Sequence, residues 1–128
     1  MVLQYTAAAL NSRISVLATP AGLWTANVSA GQEDHSSMGV TSALKAQEIM
    51  ELGLKIVAIE LICSCQAIEI LEEKELGKGT SEALKLVRQK TRHLDQDRSM
   101  SDDVERLANY LKGGDFVAKV LKSANFPG

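Results

Sequence analysis

Apolar positions along this chain recur mainly at three- and four-residue spacing, the period of a helix face. Val2 to Ala18 is rich in Ala and Leu, and Ala8, Leu10, Ile14 and Leu17 keep roughly helical spacing, so a first helix is expected there. Pro20 ends it, because proline lacks an amide hydrogen and pushes its predecessor out of the α region. Thr19 to His35 shows no clear period and carries Pro20, Gly22 and Gly31. A connection that long in a compact domain is usually functional or disordered. Trp24 and Val28 offer it anchors, so an ordered loop is expected.

Ser36 or Ser37 can cap a second helix, and no proline intervenes from there to about Glu75. One helix of roughly 40 residues is expected, about 58 Å long. A compact domain of this chain length is only about 36 Å across, so the helix outruns its own domain and needs partners. Its first third is amphipathic, with Lys45, Glu48 and Glu51 available for a wet face. Leu54 to Leu71 is apolar nearly all round, as in the core of a bundle. Lys55, Glu60, Gln66 and Glu69 interrupt that run and argue against a membrane span.

Gly77 and Gly79 stop the long helix, and Thr80 can cap the next, Ser81 to about Leu94, whose apolar stripe is Ala83, Leu84, Val87 and Leu94. Asp95 to Met100 reads as a polar connection. Ser101 is an N-cap candidate, and Asp102 and Asp103 complement the dipole of a short helix with Val104, Leu107, Ala108 and Leu111 on its buried side. Gly113 and Gly114 end it, and a last helical piece runs from Asp115 to Lys122. No alternating strand pattern is long enough to count. The expected fold class is all-α: one segment, residues 1–128, forming an oligomeric helical bundle around one long central helix.

Composition narrows the function classes. Hydrophobic residues make up 45% of the 128, enough for a core. A net charge of -2 with 4% aromatic residues supplies neither a basic face nor a stacking platform, so no nucleic-acid partner is expected. Two cysteines one residue apart cannot staple a scaffold, which points to a reducing compartment such as the cytoplasm. On a helix Cys63 and Cys65 point about 200° apart, so they read as two small buried core residues and not as a metal pair. His93, near a helix C-terminus, reads as a surface or capping residue. Asp95 and Asp97 with Arg92 and Arg98 suggest local ion pairs, a divalent-metal site being the weaker alternative. No metal ligand is assigned.

The segment Gly31-Gln32-Glu33-Asp34-His35 is the most informative. Two readings stand side by side. In the local one, Asp34 or His35 caps the long helix and Gln32 closes the loop. In the functional one, the Glu33 carboxylate accepts a proton or binds a substrate cation while a rigid helix end holds it.

QYTAAAL at Gln4–Leu10, LATPAG at Leu17–Gly22 and SAGQEDHSSMG at Ser29–Gly39 occur in that order, followed by KIVAIELICSCQAIEI, LGKGTSEALKLVRQ and HLDQDRSMSDDV. Together they resemble the C-terminal part of histidine ammonia-lyase, of the aromatic amino acid ammonia-lyase family, over about residues 1 to 122. The resemblance implies a mostly helical fold with long central helices, usually tetrameric, with active sites at subunit junctions. It also implies a methylidene-imidazolone electrophile made from an internal Ala-Ser-Gly. By motif match, Glu33 is the expected catalytic residue and Gln32, beside it, the expected substrate-binding one.

No Ala-Ser-Gly occurs in this chain; Ser29-Ala30-Gly31 has the letters in the wrong order. The expected cofactor therefore belongs only to a missing N-terminal part, and this chain is expected to hold none. Gly31 stands where histidine-specific members favour asparagine, Thr19 for the histidine of LAHP, Gly22 for the following serine and Ser36 for valine. The glycine is expected to loosen the backbone beside Glu33, which puts histidine as the substrate in doubt. The expected partners are a second copy, giving a dimer or tetramer, or a separate N-terminal lyase polypeptide. An amino-acid substrate is expected only once the site is completed. The rival expectation is a non-catalytic helical oligomerisation or interaction protein, the relict of a lyase gene.

Overall fold

The computed structural model describes residues 2–73 and 75–126. Those residues form five α-helices and two short 3-10 turns, with no strand among them. The helices are α1 (Val2–Leu17), α2 (Gly39–Ile70), α3 (Lys78–Arg88), α4 (Ser101–Lys112) and α5 (Asp115–Ser123). The turns, Ala21–Trp24 and Ser29–Gly31, lie in the connection between α1 and α2.

α1 packs on α2 through Leu3, Ala7 and Leu10, with Ile14 and Leu17 half-buried farther along. The half-buried positions thus follow Ala7, whereas Ala8 is exposed. Arg13 near the end of α1 pairs with Glu48 at 3.1 Å, and Lys45 Nζ donates to the Thr19 carbonyl, so the two helices run antiparallel. α4 is antiparallel to α2 on another side: Lys112 pairs with Glu51 and Glu105 with Lys55. The core joins Ala58, Ile59, Ile62 and Cys65 of α2 to Leu86 and Val87 of α3, Val104, Leu107 and Ala108 of α4 and Phe116 of α5. Each fully buried Ile or Leu contributes about 1.5–3 kcal/mol.

α2 is 32 residues long, shorter than expected at both ends. It spans about 48 Å, still more than the width of a compact domain of this size. Neither Ser36 nor Ser37 caps it. Met38 sits at the cap in the left-handed region, φ 51°, and no side chain closes the first turn. At the other end Glu72, also left-handed at φ 51°, turns the chain away before the glycines are reached. α3 starts at Lys78, which puts Thr80 inside its first turn, and it stops at Arg88, so Leu94 lies beyond it. Leu86, absent from the expected stripe, is one of its two buried residues. Ser101 is the first residue of α4 and not its cap, and no side chain caps that helix either.

Trp24 is 76% exposed and Val28 about half, so neither anchors the connection with its side chain. Ala21 is the buried residue there. Cys65 is buried as expected, and burial pushes its thiol up, whereas Cys63 is exposed.

Candidate functional site

The connection from Val28 to Met38 is built by its own backbone. The Val28 amide donates to the Glu33 carbonyl at 3.0 Å, and the Glu33 amide donates back to Val28 at 3.4 Å. Within that closed hairpin the Gly31 amide donates to the Val28 carbonyl and the Gln32 amide to the Ser29 carbonyl. Three successive residues take positive φ: Ser29 at 55°, Ala30 at 53° and Gly31 at 87°. The two that are not glycine cost roughly 1–2 kcal/mol each. The Ser36 amide then donates to Thr25 Oγ1 at 2.8 Å and ties the far side of the segment back.

This geometry corrects two expectations. Gly31 does not loosen the backbone beside Glu33. It occupies a left-handed position fixed by hydrogen bonds on both sides, one that asparagine also tolerates. Nor does any of Gln32, Asp34 and His35 cap α2, which begins only at Gly39. All four side chains from Gln32 to His35 are exposed, and none makes a hydrogen bond or ion pair with a described residue. The hairpin therefore fixes the backbone of Glu33 and leaves its carboxylate facing outward.

A polar network that the sequence does not announce lies at the far end of α2. Arg88 forks onto Glu69, Nε to Oε1 at 2.8 Å and Nη2 to Oε2 at 2.7 Å. It also donates to Gln66 Oε1 and to Thr91 Oγ1. Gln66 reads the backbone of Leu94, accepting from its amide at 3.0 Å and donating to its carbonyl at 3.3 Å. These bonds fix the orientation of the Gln66 amide, so the nitrogen 3.0 Å from His93 Nε2 donates to it. The His93 proton is then on Nδ1 and donates to Glu69 Oε2 at 2.5 Å. The Arg88 guanidinium, with His93 beside it, holds the Glu69 carboxyl below its ordinary 4.5, against the opposing effect of burial.

His93 thus lies at the surface, as expected, and caps nothing, but it makes a tertiary contact. Arg98 pairs with Asp103 at 2.6 Å, and Arg106 joins the same carboxylate at 3.2 Å. The expected pairing of Arg98 with Asp95 or Asp97 is not made; Asp95 approaches only His93, at 3.8 Å. Among the described residues no group of three His, Cys, Asp or Glu could hold a metal ion. One signal of the network was legible: Gln66 and Glu69, three apart, are two of the polar residues that interrupt the apolar run.

A groove of about 1050 Å³ runs between α1, α2 and α4, lined by Leu3, Leu10, Ile62, Cys63, Met100 and Val104, with Lys55 and Glu105 on its rim. Gln32 and Glu33 take no part in it. Among the described residues none bonds to the Glu33 side chain, and no buried polar side-chain atom lacks a partner. The residues present do not cradle an electrophilic cofactor.

A sequence model described as aromatic amino acid lyase matches residues 1–89. Histidine ammonia-lyase of Natranaerobius thermophilus is 41% identical over 123 residues, 96% of this chain and 24% of that protein. The enzyme of the same name from Alkaliphilus oremlandii is 42% identical with the same coverage. Among solved structures, histidine ammonia-lyase from Trypanosoma cruzi superposes with a TM-score of 0.88 at 34% identity, over 96% of this chain and 24% of that one. Tyrosine aminomutase from Streptomyces globisporus gives 0.87 at 28% identity, over 97% and 24%. The chain spans about a quarter of the length of the relatives it matches.

Proposed function

The chain belongs to the aromatic amino acid lyase family, and on that premise we propose that it is a C-terminal part or subunit of a histidine ammonia-lyase-like enzyme, not competent alone. The carrying observation is the outward-facing Gln32–His35 segment on a closed, strained hairpin. Strain of this kind persists where surrounding structure over-determines it, commonly at functional sites. Glu33 supplies the carboxylate that binds the substrate's cationic group or exchanges a proton with it, and Gln32 supplies amide contacts. The Ala-Ser-Gly that yields the methylidene-imidazolone, whose chemistry makes the amine a better leaving group, lies outside these 128 residues. The substrate is an amino acid, bound once the site is complete.

The chain self-associates into a dimer or tetramer and works in the cytoplasm. No helix among the described residues is long and apolar enough to cross a membrane. The test is urocanate formation from histidine, followed by its ultraviolet absorbance. The purified chain alone should give none. Mixed with an N-terminal polypeptide of a relative that holds Ala-Ser-Gly, it should give turnover. Activity of the chain alone, or a stable complex with no turnover on any aromatic amino acid, would refute the proposal. The second outcome would favour the rival, a non-catalytic oligomerisation protein, which the exposed apolar face of α2 supports.

A further inference from the structure

We infer that Thr25 is a positioning residue for Glu33: its hydroxyl clasps the segment that carries the carboxylate and holds it to the body of the fold. The inference rests on the proposed role of Glu33 and names the group that keeps that carboxylate in place.

Glu33 is borne by a segment with little packing of its own. From Leu23 to Ser37 every residue is exposed except Thr25, which is half-buried. Apolar burial therefore cannot hold this segment, and hydrogen bonds must. One tie is the antiparallel pair of Val28 with Glu33. The other is the Ser36 amide, which donates to Thr25 Oγ1 at 2.8 Å. Thr25 lies three residues before Val28 and Ser36 three after Glu33, so the second tie keeps the register of the first. At that distance an ideal antiparallel ladder leaves the facing residues without a backbone bond, and the hydroxyl supplies one. Glu33, Asp34 and His35 are thus bracketed between two fixed points. Among the described residues nothing bonds to the Asp34 and His35 amides between them.

Thr25 is itself anchored. It follows the turn Ala21–Trp24, which packs on α2 and buries Ala21. Its amide donates to the Gly22 carbonyl at 3.4 Å, and its backbone is extended, φ -64° and ψ 140°. Branching at Cβ restricts χ1, so the hydroxyl has little freedom to swing away. Among the described residues no other side chain bonds to residues 28–38. The mechanical path therefore runs from α2 through Ala21 and Thr25 to Ser36, and from there to Glu33.

Removing the clasp has a calculable effect. The free span beyond Glu33 would grow from two residues, Asp34 and His35, to four, ending at Met38, whose carbonyl accepts from Ser42 in the first turn of α2. Doubling a flexible span lowers the chance of any one geometry about threefold. That factor sets the lower bound on the loss of rate if Glu33 must stay in one place.

The test uses the chain mixed with an N-terminal polypeptide of a relative that holds Ala-Ser-Gly, with histidine as substrate and the assembled complex quantified by light scattering. Thr25→Val keeps the shape and removes the acceptor. It should lower kcat per assembled complex about three- to tenfold with KM changed by less than about twofold. Thr25→Ser, which keeps the hydroxyl, should restore most of the rate. Because Thr25 acts through Glu33, Thr25→Val combined with Glu33→Gln should be no slower than Glu33→Gln alone. An unchanged kcat in Thr25→Val, or a double variant slowed by both factors multiplied, would overturn the inference and leave the role of Glu33 standing. A complex of the unmutated chain without turnover would overturn the proposed function and this inference with it. Hydrogen exchange of the unmutated chain, followed by NMR, depends neither on catalysis nor on the folding of any variant. After correction for intrinsic rates, the Ser36 amide should exchange at least about fivefold more slowly than those of Asp34 and His35. A Ser36 amide as fast as its two neighbours would overturn the clasp.

Discussion

Replacing Arg88 by Met removes the centre of the polar network while keeping a long unbranched side chain. Arg88 and Glu69 are mostly buried side chains, 16% and 27% exposed, joined by two short charge-assisted bonds. Exposed ion pairs contribute about 0–1 kcal/mol, and breaking a fully buried one costs about 3–5 kcal/mol. This pair lies between those limits, and Glu69 keeps its contact with His93 after the change. The expected loss is about 2–3 kcal/mol, including the bonds from Arg88 to Gln66 and Thr91. For a chain of this length that lowers the melting temperature by roughly 6–12 °C. Thermal melts at one fixed protein concentration measure it, because the proposed self-association would make the midpoint concentration-dependent. The sign with pH is also set. The Glu69 carboxyl is held below its ordinary 4.5, chiefly by Arg88. Its contribution is therefore fully present above about pH 4.5 and is lost as pH falls through the lowered value. The gap between wild type and Arg88→Met should be full at pH 7 and shrink in acid below 4.5. A change under about 0.5 kcal/mol at pH 7, or a gap that widens in acid, would refute the reasoning.

Asp103, 4% exposed beneath Arg98 and Arg106, should cost about 2–3 kcal/mol as Asp103→Ala, measured by urea denaturation; both arginines can turn to water, which keeps the loss below that of a sealed pair. Gly31→Ala should destabilise by about 1 kcal/mol because φ is 87° there, although a Cβ would have open space, and Gly31→Asn should cost less. Glu33→Gln should leave the melting curve of the isolated chain within about 0.5 kcal/mol, since its exposed side chain makes no hydrogen bond or ion pair with a described residue. In the completed enzyme the same change should cut single-turnover rates at least roughly tenfold, and equal rates would leave Glu33 as a loop residue only.

The helices, their order and the apolar side of most of them were legible in the sequence, because a 3.6-residue period is a local property of the chain. Val104, Leu107 and Ala108 came out buried as the spacing required. The QEDH segment and its family likeness were legible too, since a motif needs only contiguous residues. Helix ends were not. Sequence offered Ser36 or Ser37, Thr80 and Ser101 as caps, but Met38, Gly77 and Met100 hold those places, with no side-chain bond. Which polar groups meet was also beyond local reading: Arg88 finds Glu69 and His93 finds Gln66 across long stretches of chain. Asp103 showed as a dipole partner and became the buried centre of two arginines only once α4 had packed. An alternation of apolar and polar residues fixes which side of a helix seeks cover. The identity of that cover depends on the packing of segments remote in sequence, and so α2 reveals its uncovered face only after α1 and α4 have taken their sides.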